Sequence, residues 1–172
     1  FTSDDKIIFK DKKINLVSIA SYDNNHFRQV IKSLKNNQNV IVEKPICLNL
    51  IELKKISKIL KKKKFLKLTS NLVLRTEPMF REIKKIISKK NFGNISIIEA
   101  DYIWARPWKF EGWRSNVKDY SVIHGAAIHM IDLVNWFLNK RPLEVIALGH
   151  KNKSLKKYKK VTDCVLLLKY DK

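Results

Sequence analysis

The first third of the chain alternates short apolar runs with a longer segment of helical periodicity. The runs are INLVSIA at residues 14–20 and NVIV at residues 39–42. INLVSIA predicts a buried strand, and the unbroken run Val40, Ile41 and Val42 predicts a strand that is buried on both faces of a parallel sheet. Between them, apolar residues recur at a spacing of about 3.6, which predicts a helix. Its predicted inward positions are Phe27, Val30, Ile31 and Leu34.

The same alternation continues after the second run. Residues 50–63 carry another helical pattern, and Asn49 is its predicted N-cap because an Asn side chain can accept a hydrogen bond from the first turn. FLKLTSN then predicts a third strand. This order of elements predicts a doubly wound parallel sheet. The chain has four Gly and no GxGxxG, so a Rossmann domain would be represented here by its later half.

The pattern changes after residue 72. Residues 95–102 predict a strand, residues 123–138 a helix, and EVIALGH and DCVLLLKY two further strands. A helical stripe before them is predicted to be buried against the sheet of a second domain. The members of this stripe are Met79, Phe80, Ile83, Ile86 and Ile87.

The charge of the chain suggests a partner that its Arg content argues against. The formal net charge is +20, which is typical of proteins that bind nucleic acid or another polyanion. Only six of the 36 Lys and Arg residues are Arg, although bidentate recognition of phosphates and bases favours Arg. We expect no nucleic-acid partner and keep polyanion binding as a minor alternative.

Other features concern compartment and metals. No apolar run is as long as a membrane span, and the start FTSDDKIIFKDKK has no signal-peptide core and reads as mid-domain sequence. We therefore expect no membrane partner, a cytoplasmic location and native sequence upstream. Cys47 and Cys164 have no CxxC or His companion at metal-ligand spacing, which predicts buried reduced thiols and no metal site.

The first candidate for chemistry follows the NVIV run. Glu43, Lys44 and Pro45 come where the predicted strand ends. Ligands of open α/β sheets bind outside the carboxyl ends of the strands, so this Glu-Lys pair is a candidate site. The alternative is a solvated pair of charges that closes a strand.

The second candidate is the stretch HMIDLVNW. At 100° per residue, Gly125, His129, Asp132 and Trp136 share one face of the predicted helix, opposite an apolar face. Histidine changes charge near neutral pH, which suits proton transfer. The alternative is a buried structural His129 held by Asp132.

Taken together, the motifs resemble those of the glucose-fructose oxidoreductase and inositol dehydrogenase family (Gfo/Idh/MocA). The matching stretches are VSIASYDNNHFRQVIKSLKNNQNVIVEKPICLN, FGNISIIEADY, GWR and AAIHMIDLVNWFLNKRPLEVIALG. The resemblance implies an α/β chain with the later half of a Rossmann NAD(P)-binding domain at residues 1–72. Part of an α+β domain, with an open and mainly antiparallel sheet, would follow at residues 73–172 and serve substrate binding and oligomerisation. The GxGxxG would lie upstream of Phe1.

The resemblance also implies functional residues. Lys44 and His129 would be catalytic and face the nicotinamide from one pocket between the two domains. The residues implied to line the NAD or NADP site are Ala20, Ser21, Tyr22, Asp23, His26, Glu43, Lys44, Pro45, Trp113 and Arg114. The residues implied to bind substrate are Asn71, Arg75, His124 and Asp132. For His26 a structural role is equally open, and for Trp113 and Arg114 a surface loop is the alternative.

One position departs from the family pattern. Many dehydrogenases of the family carry Asp four residues before the site histidine, where this chain has Gly125 preceded by His124. We expect an oxidoreductase of sugars, cyclitols or sugar-like substrates that forms a homo-dimer or homo-tetramer through the second sheet. A non-catalytic nucleotide- or sugar-binding relative is the alternative. By itself the chain is expected to bind NAD(P) weakly, since it lacks the glycine turn.

Overall fold

A computed structural model of the chain describes residues 3–118, 120–155, 158 and 160–171. Residues 1, 2 and 172, at the outer ends of the predicted domains, lie outside these ranges. The chain divides into two compact units, Phe1–Asn71 and Leu72–Lys172.

The first unit contains a three-stranded parallel sheet in the order β1-β2-β3. Its strands are β1 Leu16–Ile19, β2 Asn39–Val42 and β3 Leu68–Ser70. The helices of this unit are α1 Asp5–Lys10, α2 Asp23–Lys35 and α3 Leu50–Lys62. In register, Val17 lies opposite Val40, and Val42 lies opposite Ser70. The predicted parallel sheet is confirmed, whereas the sequence pattern did not predict α1.

The strands are buried on one face only. Val40 and Val42 are 1% and 0% exposed, whereas Leu16 and Ile41 are 50% and 39% exposed. Right-handed crossovers in the order β1-β2-β3 place both connecting helices on the same side of the sheet. The prediction of burial on both faces is therefore wrong for this chain. Only the covered face contributes to the core, together with Val30 and Leu34 of α2.

Two hydrogen bonds fix the start of α3. The Asn49 side chain accepts a hydrogen bond from the Glu52 backbone N–H at 3.0 Å, so the predicted N-cap is confirmed. The Glu52 carboxylate in turn accepts a hydrogen bond from the Leu48 N–H at 3.0 Å. These bonds define where the chain leaves the loop that follows β2.

The second unit combines helices with a two-stranded antiparallel sheet. Its longer elements are α4 Pro78–Ser88, α5 Ile128–Leu138, β4 Glu144–His150 and β5 Asp163–Lys169. Its short helical turns are Val73–Thr76, Pro107–Phe110, Trp113–Asn116 and a π-helical turn Ile123–Ala127 that runs into α5. Glu144 lies opposite Lys169 in the sheet, and His150 lies opposite Asp163.

Two predictions for this unit are wrong. The apolar stripe of α4 packs on α5, where the Phe80 and Phe137 ring centroids are 6.3 Å apart, and Met79 at the start of the stripe is 62% exposed. No residue of α4 is fully buried. Residues 95–102 form no strand in the described part of the chain, because strand propensity reflects fit to a pleated surface and does not supply a neighbouring strand.

The sheet of the second unit is open. Every residue of β4 is exposed, including Val145, Ile146 and Leu148. Val165 and Leu167 of β5 are each 61% exposed. Among the helices of the described residues, none combines the length and the apolar character that crossing a membrane requires.

Candidate active site

The carboxyl ends of the three parallel strands bring the first group of predicted residues together. Ala20 and Ser21 follow β1, Glu43 to Pro45 follow β2, and Asn71 follows β3. Because the strands are parallel and adjacent in order, these loops leave the same edge of the sheet. The connections between strands and helices are short, and the buried valines anchor β2 in the sheet, so these loop residues stay at this edge.

The buried ring of His26 joins the first two of these loops. His26 is 0% exposed, and its Nδ1 lies 2.7 Å from the Pro45 carbonyl oxygen, while its Nε2 lies 2.9 Å from the Ser21 carbonyl oxygen. Carbonyl oxygens only accept, so the ring donates through whichever nitrogen carries its proton. His26 therefore holds the loop after β2 against the loop after β1. In this geometry it is a supporting residue behind the site.

A second bond joins the loops after β2 and β3. The Asn71 side-chain amide donates to the Glu43 carboxylate at 2.6 Å, and the Asn71 backbone N–H donates to Val42 at 2.8 Å. The Ser21 hydroxyl donates to the Gln29 side-chain oxygen at 2.6 Å. The hydrogen bond between Asn71 and Glu43 thus holds the loops after β2 and β3 together at this edge of the sheet.

Lys44 lies between these braced positions. It is half-buried, and it precedes the buried Pro45 through a cis peptide bond. Tyr22 is 57% exposed beside the same edge, whereas Asp23, the first residue of α2, is 8% exposed. The edge therefore exposes the phenol of Tyr22 and part of Lys44, whereas Asp23 is buried.

In the second unit, His129 lies at the start of α5. It is 8% exposed, and its ring stacks on Tyr102 with centroids 5.7 Å apart and an interplanar angle of 15°. Stacking of this kind fixes the plane of the imidazole. Tyr102 belongs to the FGNISIIEADY stretch, but the sequence analysis gave it no role.

Asp132 pairs with an arginine. Arg75 donates to both Asp132 carboxylate oxygens, from Nε at 2.7 Å and from Nη2 at 2.6 Å. These bonds raise the pKa of Arg75 above its ordinary value, against the opposing effect of burial. The guanidinium also lies 5.8 Å from the Trp136 ring centroid. Asp132 and Trp136 thus share one face, as predicted, and Arg75 contacts both of them.

Among the remaining predicted residues, Arg114 lies near a tyrosine that sequence reasoning missed. The Arg114 guanidinium lies 4.2 Å from the Trp113 ring centroid and 5.8 Å from that of Tyr120. His124 Nδ1 lies 3.0 Å from the Ser121 hydroxyl. The GWR motif is therefore linked through Arg114 to Tyr120, which a reading based on motif positions could not reveal.

A large opening in the second unit overlaps this chemistry only in part, since Tyr102 and Tyr120 are among the residues that line it. It has a volume of about 1930 Å³ and is lined by residues 93–105 on one side and by β5 on another. Small-molecule pockets are typically about 300–1,000 Å³. We therefore regard it as space beside an unpaired segment rather than as a substrate pocket.

Both units match models of one protein family. A model of an oxidoreductase family with an NAD-binding Rossmann fold matches residues 1–70, and a GFO/IDH/MocA C-terminal domain model matches residues 80–172. The chain belongs to the Gfo/Idh/MocA family. The resemblance in the sequence and the predicted fold class are confirmed.

The individual relatives have low sequence identity to this chain. YteT of Bacillus subtilis (strain 168), whose name calls it an oxidoreductase, is 28% identical in a match covering 81% of this chain and 33% of YteT. The uncharacterized oxidoreductase YhhX of Escherichia coli (strain K12) is 27% identical, with 78% of this chain and 38% of YhhX covered.

Solved structures share the fold. Scyllo-inositol dehydrogenase from Lactobacillus casei, with bound NAD(H) and scyllo-inositol, has a TM-score of 0.83 and 22% identity over 98% of this chain and 51% of that chain. Myo-inositol 2-dehydrogenase from Lactobacillus plantarum has a TM-score of 0.81 and 20% identity, with the same coverage. The chain thus spans about half the length of these structures and about a third of the two named relatives.

The residues present fit one part of a nicotinamide cofactor. The start of α2 carries the buried carboxylate of Asp23, which disfavours a diphosphate at that helix end. A carboxylate there can instead accept hydrogen bonds from ribose hydroxyls. Ser21, Asp23 and Lys44 therefore suit the nicotinamide riboside half. The chain has no glycine-rich turn for the diphosphate.

Proposed function

We propose that the full-length protein is an NAD(P)-dependent oxidoreductase that acts on a hydroxyl or carbonyl group of a sugar, cyclitol or sugar-like substrate. Residues 1–72 would supply the later half of the cofactor domain, and residues 73–172 would supply substrate and subunit contacts. The observation that supports this most is the braced edge of the parallel sheet. There His26 and Asn71 hold the loop that carries Lys44.

Lys44 is the proposed electrostatic catalyst. In the oxidative direction, a CH–OH group loses a hydride from carbon and a proton from oxygen to give C=O. When bound, a nicotinamide cofactor supplies the hydride acceptor. The ammonium of Lys44 would hydrogen-bond the reacting oxygen and stabilise the negative charge that develops there. Its half-buried position suits this role because burial strengthens such interactions.

His129 is the proposed acceptor of the hydroxyl proton, or the proposed hydrogen-bond partner of that hydroxyl. Stacking on Tyr102 holds the plane of the His129 ring. Arg75 donates hydrogen bonds to both carboxylate oxygens of Asp132, which follows His129 on the same helix. An acceptor that is held in one orientation lowers the cost of reaching the reactive geometry. The site would therefore combine Lys44 from the first domain with His129 from the second.

Polyols are the proposed substrate class. The Lactobacillus casei relative binds scyllo-inositol, which motivates a compound with several neighbouring hydroxyl groups as the first test. Arg75, His124 and Asp132 stay proposed as substrate-binding residues, with Arg75 held in place by Asp132. NAD and NADP are both to be tested.

Assembly is part of the same proposal. The exposed apolar side chains of β4 and β5 support association through this sheet, as a homo-dimer or homo-tetramer. The proposed location of the protein is the cytoplasm. Light scattering of the full-length protein tests the association. A monomer at micromolar concentration would contradict it.

Substitution of Lys44 by Met tests the proposed chemistry. In the full-length protein, we expect Lys44→Met to lower kcat by about two to four powers of ten, with little change in cofactor affinity. Lys58→Met is the matched control, because Lys58 is an exposed lysine on α3. Lys44→Arg is not a suitable control, since the guanidinium fork cannot replace a compact ammonium at one oxygen.

The outcomes separate the candidate functions. Unchanged turnover in Lys44→Met, at saturating cofactor and substrate, would leave Glu43-Lys44 as a charged strand end. His129→Ala would then show whether the second unit carries the chemistry alone. Cofactor binding without turnover on any polyol would instead favour a non-catalytic relative. The reason to consider this alternative is that Gly125 stands where many dehydrogenases of the family carry Asp.

A further inference from the structure

Gly125 lies one helical turn before His129, at the position where many dehydrogenases of the family carry Asp. A Cβ atom at position 125 would lie 1.9 Å from the Tyr120 hydroxyl oxygen and 2.9 Å from Tyr120 Cζ. Real Cβ atoms essentially never approach other heavy atoms closer than 3.0 Å. The Tyr120 hydroxyl thus occupies the space that a side chain at position 125 would need.

Tyr120 is held in this position from several sides. It is 4% exposed, and its carbonyl oxygen accepts a hydrogen bond from Lys160 Nζ at 3.1 Å. Lys160 also donates to the carbonyl oxygens of Val117 and Lys118 in the same loop. The Arg114 guanidinium lies 5.8 Å from the Tyr120 ring centroid. Lys160 therefore holds the backbone of the loop that carries Tyr120, and Arg114 lies against its ring.

The placement brings the hydroxyl near His129. Side chains one turn apart on a helix have Cβ atoms about 5–6 Å apart, so the hydroxyl, 1.9 Å from the Cβ position of residue 125, is about 3–8 Å from the His129 Cβ. The π-helical turn Ile123–Ala127 precedes α5 here, and such turns are frequent at functional sites. A substrate hydroxyl or a water molecule could bridge a gap of this size.

We propose that the Tyr120 hydroxyl replaces a side chain at position 125 as the hydrogen-bonding group one turn before His129. The inference rests on the proposed function and gives Tyr120 a positioning role for His129 and a substrate hydroxyl. A phenol both donates and accepts, whereas an ionised carboxylate only accepts. The site would therefore carry one negative charge less than a site with Asp at this position, and no proton is consumed by Tyr120.

The first test is a double-mutant cycle on stability. In the full-length protein, Gly125→Ala should lower the melting temperature, because the new Cβ meets the hydroxyl and the ring. Combined with Tyr120→Ala, the same change should cost markedly less, and this non-additivity measures the shared space. A Gly125→Ala variant as stable as the parent would overturn the inference.

The second test reads the histidine directly. Tyr120→Phe keeps the ring and removes the hydroxyl, and it should change the His129 ring ¹⁵N chemical shifts at a fixed pH. Tyr158→Phe is the matched control: it removes another buried phenol, one whose ring packs on Phe110 at 4.8 Å, and it should leave those shifts unchanged. Identical His129 shifts in Tyr120→Phe and the parent would overturn the inference.

Turnover separates this inference from the proposed function. With scyllo-inositol and NAD⁺ or NADP⁺ as probes, Tyr120→Phe should lower kcat by about ten- to a hundredfold with little change in cofactor KM, the effect of one hydrogen bond to a charged group. Tyr120→Ala with Gly125→Asp should regain part of that loss. Absence of turnover in the parent would contradict the proposed function alone, because the stability cycle and the ¹⁵N shifts would still decide the role of Tyr120.

Discussion

The buried ring of His26 provides a quantitative prediction about the proposed site. His26→Ala removes a fully buried side chain and leaves the carbonyl oxygens of Ser21 and Pro45 without their ring partner. Each buried acceptor left unpaired costs about 1–3 kcal/mol, and the cavity adds to this. We expect the free energy of unfolding to fall by about 3–5 kcal/mol.

Urea unfolding of the full-length protein measures this change. His150→Ala is the control, since His150 is an exposed histidine whose loss should change stability by about 0.5 kcal/mol or less. Amide hydrogen exchange should also become faster in the loops after β1 and β2, because His26 joins them. A loss below about 1 kcal/mol, with unchanged exchange in these loops, would refute the role given to the ring.

Two further predictions concern binding and reactivity. The 172-residue chain alone should show no micromolar or tighter NAD(P) binding in calorimetry, because it lacks the glycine-rich turn that normally holds the diphosphate; tight binding would contradict this, and the full-length protein is the control. Burial, with the nearby charge of Glu52, raises the pKa of the Cys47 thiol, so iodoacetamide at neutral pH should alkylate Cys47 more slowly in the folded protein than in urea. Equal rates in both conditions would contradict that placement.

The parallel sheet was predictable because its signals are local. The valines of β2, the helical spacing before it and the Asn49 cap each act within a few residues, and they agree with one another. Burial on both faces was not predictable, since it depends on how many helices cover the sheet. The half-exposed Ile41 shows that an apolar run alone does not identify a strand covered on both sides.

The second unit was less predictable because its contacts are long-range. The spacing of HMIDLVNW placed Asp132 and Trp136 on one face, and Arg75 contacts both. Arg75 and Asp132 are 57 positions apart in the chain. The periodicity of a single helix carries no information about a contact over such a separation. The apolar pattern of residues 95–102 likewise gave no information about a neighbouring strand.

Cysteines and glycine show the same distinction. Cys47 and Cys164 are free thiols, as predicted, but both are half-buried rather than buried. The departure at Gly125 was visible in the sequence. The sequence did not show that Tyr120 fills the space beside Gly125. This contact depends on the conformation of the loop that carries Tyr120, which Lys160 holds.

Lys44 and His129 are proposed to act together on the hydroxyl group of one reacting carbon. An experimental structure of the full-length protein with a nicotinamide cofactor and a bound polyol tests this proposal most directly. We expect the Lys44 ammonium and the His129 imidazole to line the same pocket, each within about 2.6–3.2 Å of the reacting hydroxyl oxygen or one water molecule away from it. Side chains of Lys44 and His129 on opposite surfaces of that structure would contradict the account.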